Sequence, residues 1–263
     1  MNTVASKDGT PIAFDRVGNG PAVIFVNGAT ATRTAGAGIA ELMPHFTVFS
    51  YDRRGRGDSG DTAPYAVQRE IEDLDALLTE AGGEAFVFGH SSGAVLSLEA
   101  ARVLSGKITK LAVYEPPFII DDSRPPLPPD YVEHLDALIA ADRRGDAAEY
   151  FLTVAVRIPA EFIAEMRKSP MWPQIEAVAH TISYDGAVMG DTMSGSPAPL
   201  ARFASVTMPT LVMDGGASPQ YMQHAAQALA DVLPNVQYRT LEGQEHGAAP
   251  DVLVPVLTEF FAR

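Results

Sequence analysis

The 263-residue sequence contains no cysteine, a single tryptophan and no long hydrophobic run. The absence of cysteine excludes disulfides, thiolate metal sites and a cysteine nucleophile. No apolar run approaches the length that spans a bilayer, and residues 1–9 lack the apolar core of a signal peptide. We therefore expect a cytoplasmic protein that does not bind membranes.

Basic residues are also scarce, with 19 Lys and Arg against 33 Asp and Glu, which gives a net charge of −14. This charge argues against nucleic acid or an anionic membrane surface as a partner. No two histidines have metal-ligand spacing, and the acidic clusters 70–73 and 121–122 have the pattern of solvated residues. The glycines near 18–20 and 55–57 lack the frame of a nucleotide-binding loop, so we expect no metal and no cofactor. The basic run 53–56 is interpreted as a structural turn rather than a phosphate site.

The first part of the chain alternates strand and helix patterns. Apolar runs at 22–26, 46–51 and 111–114 have the composition of strands that are covered on both faces. A helical face between two of them is formed by Val67, Ile71, Leu74 and Leu78. Such alternation predicts an α/β protein with a mostly parallel, doubly wound sheet, whose functional sites lie at the carboxyl ends of its strands.

The composition changes between residues 116 and 205. A proline-rich connection at 124–129 is followed by helical patterns with no convincing strand, and strands resume at 210–213 and 236–240. We interpret residues 1–115 and 206–263 as one core, and residues 116–205 as a helical cap inserted after the sixth strand. An insertion at this point would form a lid over the strand ends.

The segment Gly89-His90-Ser91-Ser92-Gly93 follows a short apolar run and precedes a mostly apolar helix pattern. In a strand–turn–helix context, Gly-x-Ser-x-Gly is a nucleophile elbow, in which small residues permit a strained turn that exposes the serine hydroxyl. Ser91 is therefore the predicted nucleophile. A serine hydroxyl is weakly nucleophilic at neutral pH and needs a base within hydrogen-bond reach.

Three further motifs give the whole chain a resemblance to the α/β-hydrolases. Val26-Asn27-Gly28-Ala29 resembles the oxyanion loop of that family, with Asn27 in place of the usual histidine, while 51–59 resembles the turn after the next strand. Residues 243–247 resemble the loop that carries the catalytic histidine, so the resemblance implies His246 as the base. His90 adjoins the nucleophile in the elbow and is a weaker candidate. The remaining histidines fall in helical or helix-end patterns: His45, His134, His180 and His224.

The third catalytic group departs from the usual pattern, because Ser218 stands where most α/β-hydrolases carry the catalytic aspartate. Two carboxylates remain as candidates, Glu115 after the sixth strand and Asp214 at the end of the seventh. A glutamate at the position of Glu115 is similar to haloalkane dehalogenases and, in more places, to zearalenone lactonases. We therefore expect Glu115 to be the acid, with Asp214 as the alternative.

The resemblance also implies the remaining site residues and the reaction. The backbone N–H groups of Ala29 and Ser92 would form the oxyanion hole. Trp172 in the cap matches a lid tryptophan that contacts substrate in zearalenone lactonases.

The expected activity is cofactor-free hydrolysis of small-molecule carboxylic esters, with lactones favoured, through an acyl-enzyme. The alternatives are a slow or non-catalytic ligand receptor, or C–C hydrolysis, acyl transfer or perhydrolysis on the same residues. The sequence leaves open whether the protein is a monomer or a homodimer.

Overall fold

A computed structural model describes the backbone of residues 1–263 and all side chains except those of residues 41 and 42. Its centre is an eight-stranded sheet. The strands are β1 Asn2–Ala5, β2 Pro11–Gly18, β3 Ala22–Val26, β4 Thr47–Tyr51, β5 Ala85–His90, β6 Ile108–Tyr114, β7 Thr210–Gly215 and β8 Val236–Leu241. Their order in the sheet is β1-β2-β4-β3-β5-β6-β7-β8. Only β2 runs against the others, since it pairs antiparallel with β1 and β4 while the remaining pairs are parallel.

Helices cover both faces of this sheet, as the alternating pattern predicts. Five belong to the core: α1 Ala37–Leu42, α2 Val67–Glu80, α3 Ser92–Val103, α9 Gln220–Val232 and α10 Pro250–Ala262. One face buries Leu74 of α2, Val95 of α3 and Ala225 of α9, and the other buries Ile39 of α1 and Leu257 of α10. None of the helices in the described chain is long and apolar enough to cross a membrane.

The connection from β6 to β7, which we call the cap, contains helices and no strand among its described residues. Its α-helices are α4 Tyr131–Ala140, α5 Arg144–Tyr150, α6 Ala160–Met166, α7 Trp172–Val178 and α8 Ile182–Met189. Side chains from α4 to the start of α8 form a hydrophobic cluster of their own, whereas Val188, Leu200 and Phe203 join the core beneath the sheet. The part of the cap that packs on itself is therefore narrower than the segment 116–205 outlined by composition.

The parallel strands bring the predicted site residues to one edge of the sheet. Ser91 directly follows β5, Glu115 directly follows β6, and His246 lies in the loop after β8. A cleft of about 510 Å³ lies at the opposite, amino-terminal edge, where Ala22 and Ala85 line it. The predicted chemistry therefore lies at the carboxyl-terminal edge, where open α/β sheets bind their ligands.

Candidate active site

The turn between β5 and α3 holds Ser91 in a strained conformation, with φ of 58° and ψ of −128°. Its N–H donates to the carbonyl oxygen of Tyr114 at 3.0 Å, which ties the turn to β6. A Cβ at Gly93 would lie 2.2 Å from the carbonyl oxygen of Val26, and one at Gly89 would lie 2.6 Å from that of Gly93. Only glycine fits both positions, so the local sequence is suited to a nucleophile elbow.

His246 and Glu115 are joined by a hydrogen bond of 2.7 Å between Nδ1 and Oε2. Glu115 has no exposed surface, and its Oε1 accepts the N–H of Gly215 at 2.8 Å. Burial raises the pKa of Glu115, but hydrogen bonds from His246 and the Gly215 N–H outweigh it and hold the pKa below its usual range. The ionised carboxylate accepts the proton on Nδ1, which leaves Nε2 of His246 free to act as a base.

Asp214, the alternative acid, turns away from this pair. Its Oδ2 accepts the hydroxyl of Tyr238 on β8 at 2.9 Å, while its Oδ1 is buried without a described partner. Burial raises the pKa of Asp214. The structure therefore brings Glu115, and not Asp214, to His246.

Ser218 occupies the position left by the usual aspartate and is buried beside Glu115. Its hydroxyl helps to hold the pKa of Glu115 below its usual range. Glu115 itself has a φ of 48°, and this left-handed conformation directly precedes Pro116 and Pro117. Residues other than glycine adopt such a conformation at a cost, which is often accepted at functional sites.

The expected oxyanion donors flank Ser91. Ser92 is the first residue of α3, where a backbone N–H has no partner within the helix and the helix dipole is positive. Ala29 follows Gly28, and a Cβ at Gly28 would lie 2.8 Å from Cβ of Ser91. Asn27 Nδ2 donates to the carbonyl oxygen of Thr32 at 3.3 Å, and this hydrogen bond joins the two ends of the loop.

Among the described residues, the Ser91 hydroxyl makes no hydrogen bond to His246, a contact that often tightens only when substrate binds.

A buried ionic cluster behind the elbow was not expected from the sequence. Arg53 pairs with Glu70 at 2.7 Å and with Asp185 of α8 at 2.5 Å, and Asp185 also accepts from Arg56 at 2.6 Å. The hydroxyl of Ser92 donates to the same Asp185 carboxylate at 2.7 Å. This cluster links the cap to the elbow.

The expectation that the acidic cluster 70–73 is solvated is wrong for two of its residues. Glu70 and Asp73 are each only 1% exposed, and Asp73 pairs with Arg54 at 2.7 Å. Both acids lie on the face of α2 that packs toward the sheet, where the arginines after β4 supply the balancing charge. The interpretation of 53–56 as a structural turn agrees with these pairings.

Trp172 is buried in the cap, where it belongs to the cap's own hydrophobic cluster. The guanidinium of Arg167 lies over its ring at 5.3 Å. These contacts account for Trp172 as a packing residue, and its contact with substrate stays a prediction.

Comparison with known proteins identifies the family of the chain. A family model described as "Alpha/beta hydrolase family" matches residues 23–256. The chain belongs to the alpha/beta hydrolase family. Its strained Gly-x-Ser-x-Gly turn lies at the carboxyl-terminal edge of a mostly parallel sheet.

Individual relatives within the alpha/beta hydrolases differ in how much of the chain they cover. A crystal structure of an alpha/beta hydrolase from Sphaerobacter thermophilus is 62% identical, covers 99% of this chain and 100% of its own, and superposes with a TM-score of 0.91. Lipase LipV of Mycobacterium tuberculosis is 29% identical over 133 residues, which are 50% of this chain and 49% of the lipase, so the match spans about half the length of that relative. The enol-lactonase of Burkholderia xenovorans, at 17% identity, full coverage of both chains and a TM-score of 0.74, shares the fold.

Proposed function

We propose that this protein is a serine hydrolase of carboxylic esters, including lactones, that works through Ser91, His246 and Glu115. The observation that carries the proposal is the 2.7 Å hydrogen bond between Glu115 Oε2 and His246 Nδ1, at the sheet edge where the strained turn presents Ser91. A nucleophile, a base and a group that orients the base are the parts that acyl transfer to serine requires.

In the proposed mechanism, Ser91 Oγ attacks the ester carbonyl while Nε2 of His246 takes its proton. Glu115 stabilises the imidazolium and holds it in the correct tautomer. His246 then returns the proton to the leaving alkoxide, which in a lactone stays attached to the acyl group. A water molecule activated by His246 hydrolyses the acyl-enzyme and restores Ser91.

The N–H groups of Ala29 and Ser92 are the proposed donors to the oxyanion that forms during both steps. One such donor contributes roughly a hundred- to a thousandfold in kcat in well-studied serine hydrolases. The Ser92 donor is fixed on the buried helix α3, and the ionic cluster behind it further restrains its side chain.

The esterase assignment is supported by the partial similarity to a lipase. The preference for lactones rests on the resemblance to zearalenone lactonases at Glu115 and Ser218. This preference is a more specific claim than hydrolase activity, and a panel of lactones and linear esters tests it separately.

A fluorophosphonate probe tests the nucleophile, because it labels only an activated serine. We expect labelling of Ser91 that is lost in Ser91→Ala, and hydrolysis of p-nitrophenyl butyrate that is lost in the same variant. Absence of labelling in the wild-type protein would contradict the proposal and favour a ligand receptor. Small and macrocyclic lactones, assayed beside linear esters with product masses measured, would show whether lactones are preferred and whether acyl transfer or C–C cleavage occurs instead.

A further inference from the structure

Four arginines are at least nine-tenths buried, and three of them are neutralised by carboxylates. Arg53, Arg54 and Arg56 each form an ion pair of 2.7 Å or shorter with a buried acid. Arg124, which is 4% exposed, forms none with any described side chain. A buried charge without a counterion is costly, so this exception within one protein is informative.

The contacts of Arg124 leave part of its guanidinium unused. Nη2 donates to the carbonyl oxygens of Val154 at 3.4 Å and Ala155 at 3.0 Å. The guanidinium lies over the ring of Tyr221 at 4.7 Å. Nε is buried and has no described acceptor. Carbonyl dipoles and an aromatic face stabilise the cation in part, but they supply neither a full negative charge nor a partner for Nε.

Two tyrosines, the half-buried Tyr221 and the buried Tyr131, locate Arg124 relative to the catalytic residues. Tyr221, whose ring lies under the guanidinium of Arg124 at 4.7 Å, is the second residue of α9, which begins just after the carboxyl end of β7. Burial raises the pKa of Tyr221, the guanidinium of Arg124 opposes this shift, and the negative charge of Glu115 adds to it. Burial likewise raises the pKa of Tyr131, with Asp185 adding to the shift and Arg124 opposing it.

The two acids that act on these tyrosines are themselves part of the candidate site. Glu115 is hydrogen-bonded to His246, and Asp185 is hydrogen-bonded to Ser92, the residue after Ser91. Arg124 therefore lies in the interior between cap and core, on the side of the sheet edge that carries the catalytic residues. It belongs to the connection after β6, the strand that also positions Glu115.

We infer that Arg124 binds a carboxylate group of the substrate, so that the ester or lactone hydrolysed by this protein carries a carboxylate away from the bond that is cleaved. This inference rests on the proposed hydrolase function. A planar carboxylate matches the donor geometry of a guanidinium and would provide both the missing charge and the missing acceptor.

A second arginine of the same segment, Arg157, also acts on Tyr221. It lowers the pKa of Tyr221 and lines a cleft of about 500 Å³ together with Pro125 and Val154. Unlike Arg124, Arg157 is exposed. Arg124 is thus a buried positive charge, with a second arginine nearby on the Tyr221 side, in a chain with a net charge of −14.

The test compares substrates that differ only in this charge. γ-Carboxy-γ-butyrolactone is assayed beside its γ-carboxamide, and monomethyl adipate beside the methyl ester of adipamic acid. In the wild-type protein we expect kcat/KM to favour the carboxylate roughly tenfold or more, as for a hydrogen-bonded charge pair. A ratio near one, or a preference for the carboxamide, would overturn the inference while leaving the hydrolase proposal intact.

Variants assign the preference to Arg124. Arg124→Met should reduce the carboxylate-to-carboxamide ratio to about one, and Arg124→Lys, which retains charge without the planar fork, should give an intermediate ratio. Arg239→Met removes an exposed arginine on β8 and should leave the ratio unchanged. An unchanged ratio in a folded Arg124→Met protein would contradict the assignment, and if this variant fails to fold, the wild-type ratio and Arg124→Lys still decide.

Binding separates this inference from failure of the proposed function. If the wild-type protein hydrolyses neither pair and Ser91 is not labelled by the fluorophosphonate, the hydrolase proposal fails. Titration of Ser91→Ala with the two lactones still measures the subsite by calorimetry. Tighter binding of γ-carboxy-γ-butyrolactone than of its carboxamide supports the subsite, and equal affinity refutes it.

Discussion

His90 Nε2 lies 2.8 Å from the backbone carbonyl oxygen of His246. A carbonyl oxygen can only accept, so Nε2 of His90 carries the proton and donates it. The hydroxyl of Tyr114 donates to the preceding carbonyl, that of Glu245, at 2.5 Å. The ends of β5 and β6, which also position Ser91 and Glu115, therefore hold two consecutive carbonyls of the loop that carries His246.

We expect the loss of the His90 donor to impair catalysis more than substrate binding. His90→Phe removes the hydrogen bond that holds the His246 backbone, and a displacement of even 1 Å in a catalytic group can cost roughly a hundredfold in rate. His90→Gln retains an N–H donor and should lose considerably less. The measurement is kcat and KM for an ester, with the fluorophosphonate labelling rate of Ser91. Equal activity of the phenylalanine variant and the wild type would show that the loop needs no such support.

His90 should also make the protein less stable in mild acid. Burial lowers the pKa of His90 to about 4, with the nearby His246 adding to the shift, whereas an unfolded histidine titrates near its ordinary value of about 6.5. Between these two values the unfolded chain takes up a proton that the folded protein refuses, so the free energy of unfolding falls as the pH falls. The side chain keeps some exposure, and we expect a loss of about 1 kcal/mol between pH 7 and pH 5, the roughly two-unit interval in which this difference develops.

Urea unfolding at these two pH values measures this loss. His90→Gln has no titrating group at this position, so its stability should fall less over the same interval. If the two proteins lose stability in parallel, proton uptake at His90 is not the cause.

The sequence predicts those parts of the site that depend on local order. The glycines around Ser91 and the loop of His246 are contiguous motifs, and both lie where the strand pattern predicts. Glu115 could be recognised as the candidate acid only together with Ser218. The carboxylate is missing from the turn after β7 and is present at the end of β6, so both positions must be considered at once. Asp185 carried no signal, since its partner Arg53 is 132 residues away and a single acidic residue in a helix pattern resembles a solvated one. The burial of Arg124 could not be predicted either, because the residues that it contacts, Val154, Ala155 and Tyr221, are also distant in the sequence.

Asp185 should be important for stability. Asp185→Asn removes the carboxylate shared by Arg53 and Arg56 and leaves buried positive charge without compensation, which costs about 3–5 kcal/mol in comparable cases. The matched control is Asp146→Asn, whose partners Arg143 and Arg167 lie at the surface, where an ion pair contributes about 1 kcal/mol or less. Urea midpoints of both variants give the comparison, and a similar small loss in each would contradict a structural role for the buried cluster.

The two candidate acids are distinguished by amide substitutions. Glu115→Gln keeps the size of the side chain but removes the charge that holds the His246 tautomer, and we expect kcat to fall roughly a thousand- to ten-thousandfold. Asp214→Asn changes a carboxyl group that burial already disfavours in its charged form, so kcat should fall much less. Steady-state kinetics with one ester decides between them. The opposite ranking would assign the role to Asp214.

Ser218 offers a test of why the acid lies on β6. Ser218 is buried beside Glu115, in the turn where the family usually places its aspartate. In a Glu115→Gln background, Ser218→Asp restores a carboxylate near Nδ1 of His246, and we expect it to recover roughly tenfold or more of the lost kcat, a fraction of the triad carboxylate's full effect. Ser218→Asn in the same background has nearly the same shape without the charge and should recover nothing. Equal kcat in the two double variants would mean that a carboxylate at position 218 cannot reach His246. In that case only an acid at the end of β6 would be able to contact Nδ1 in this protein.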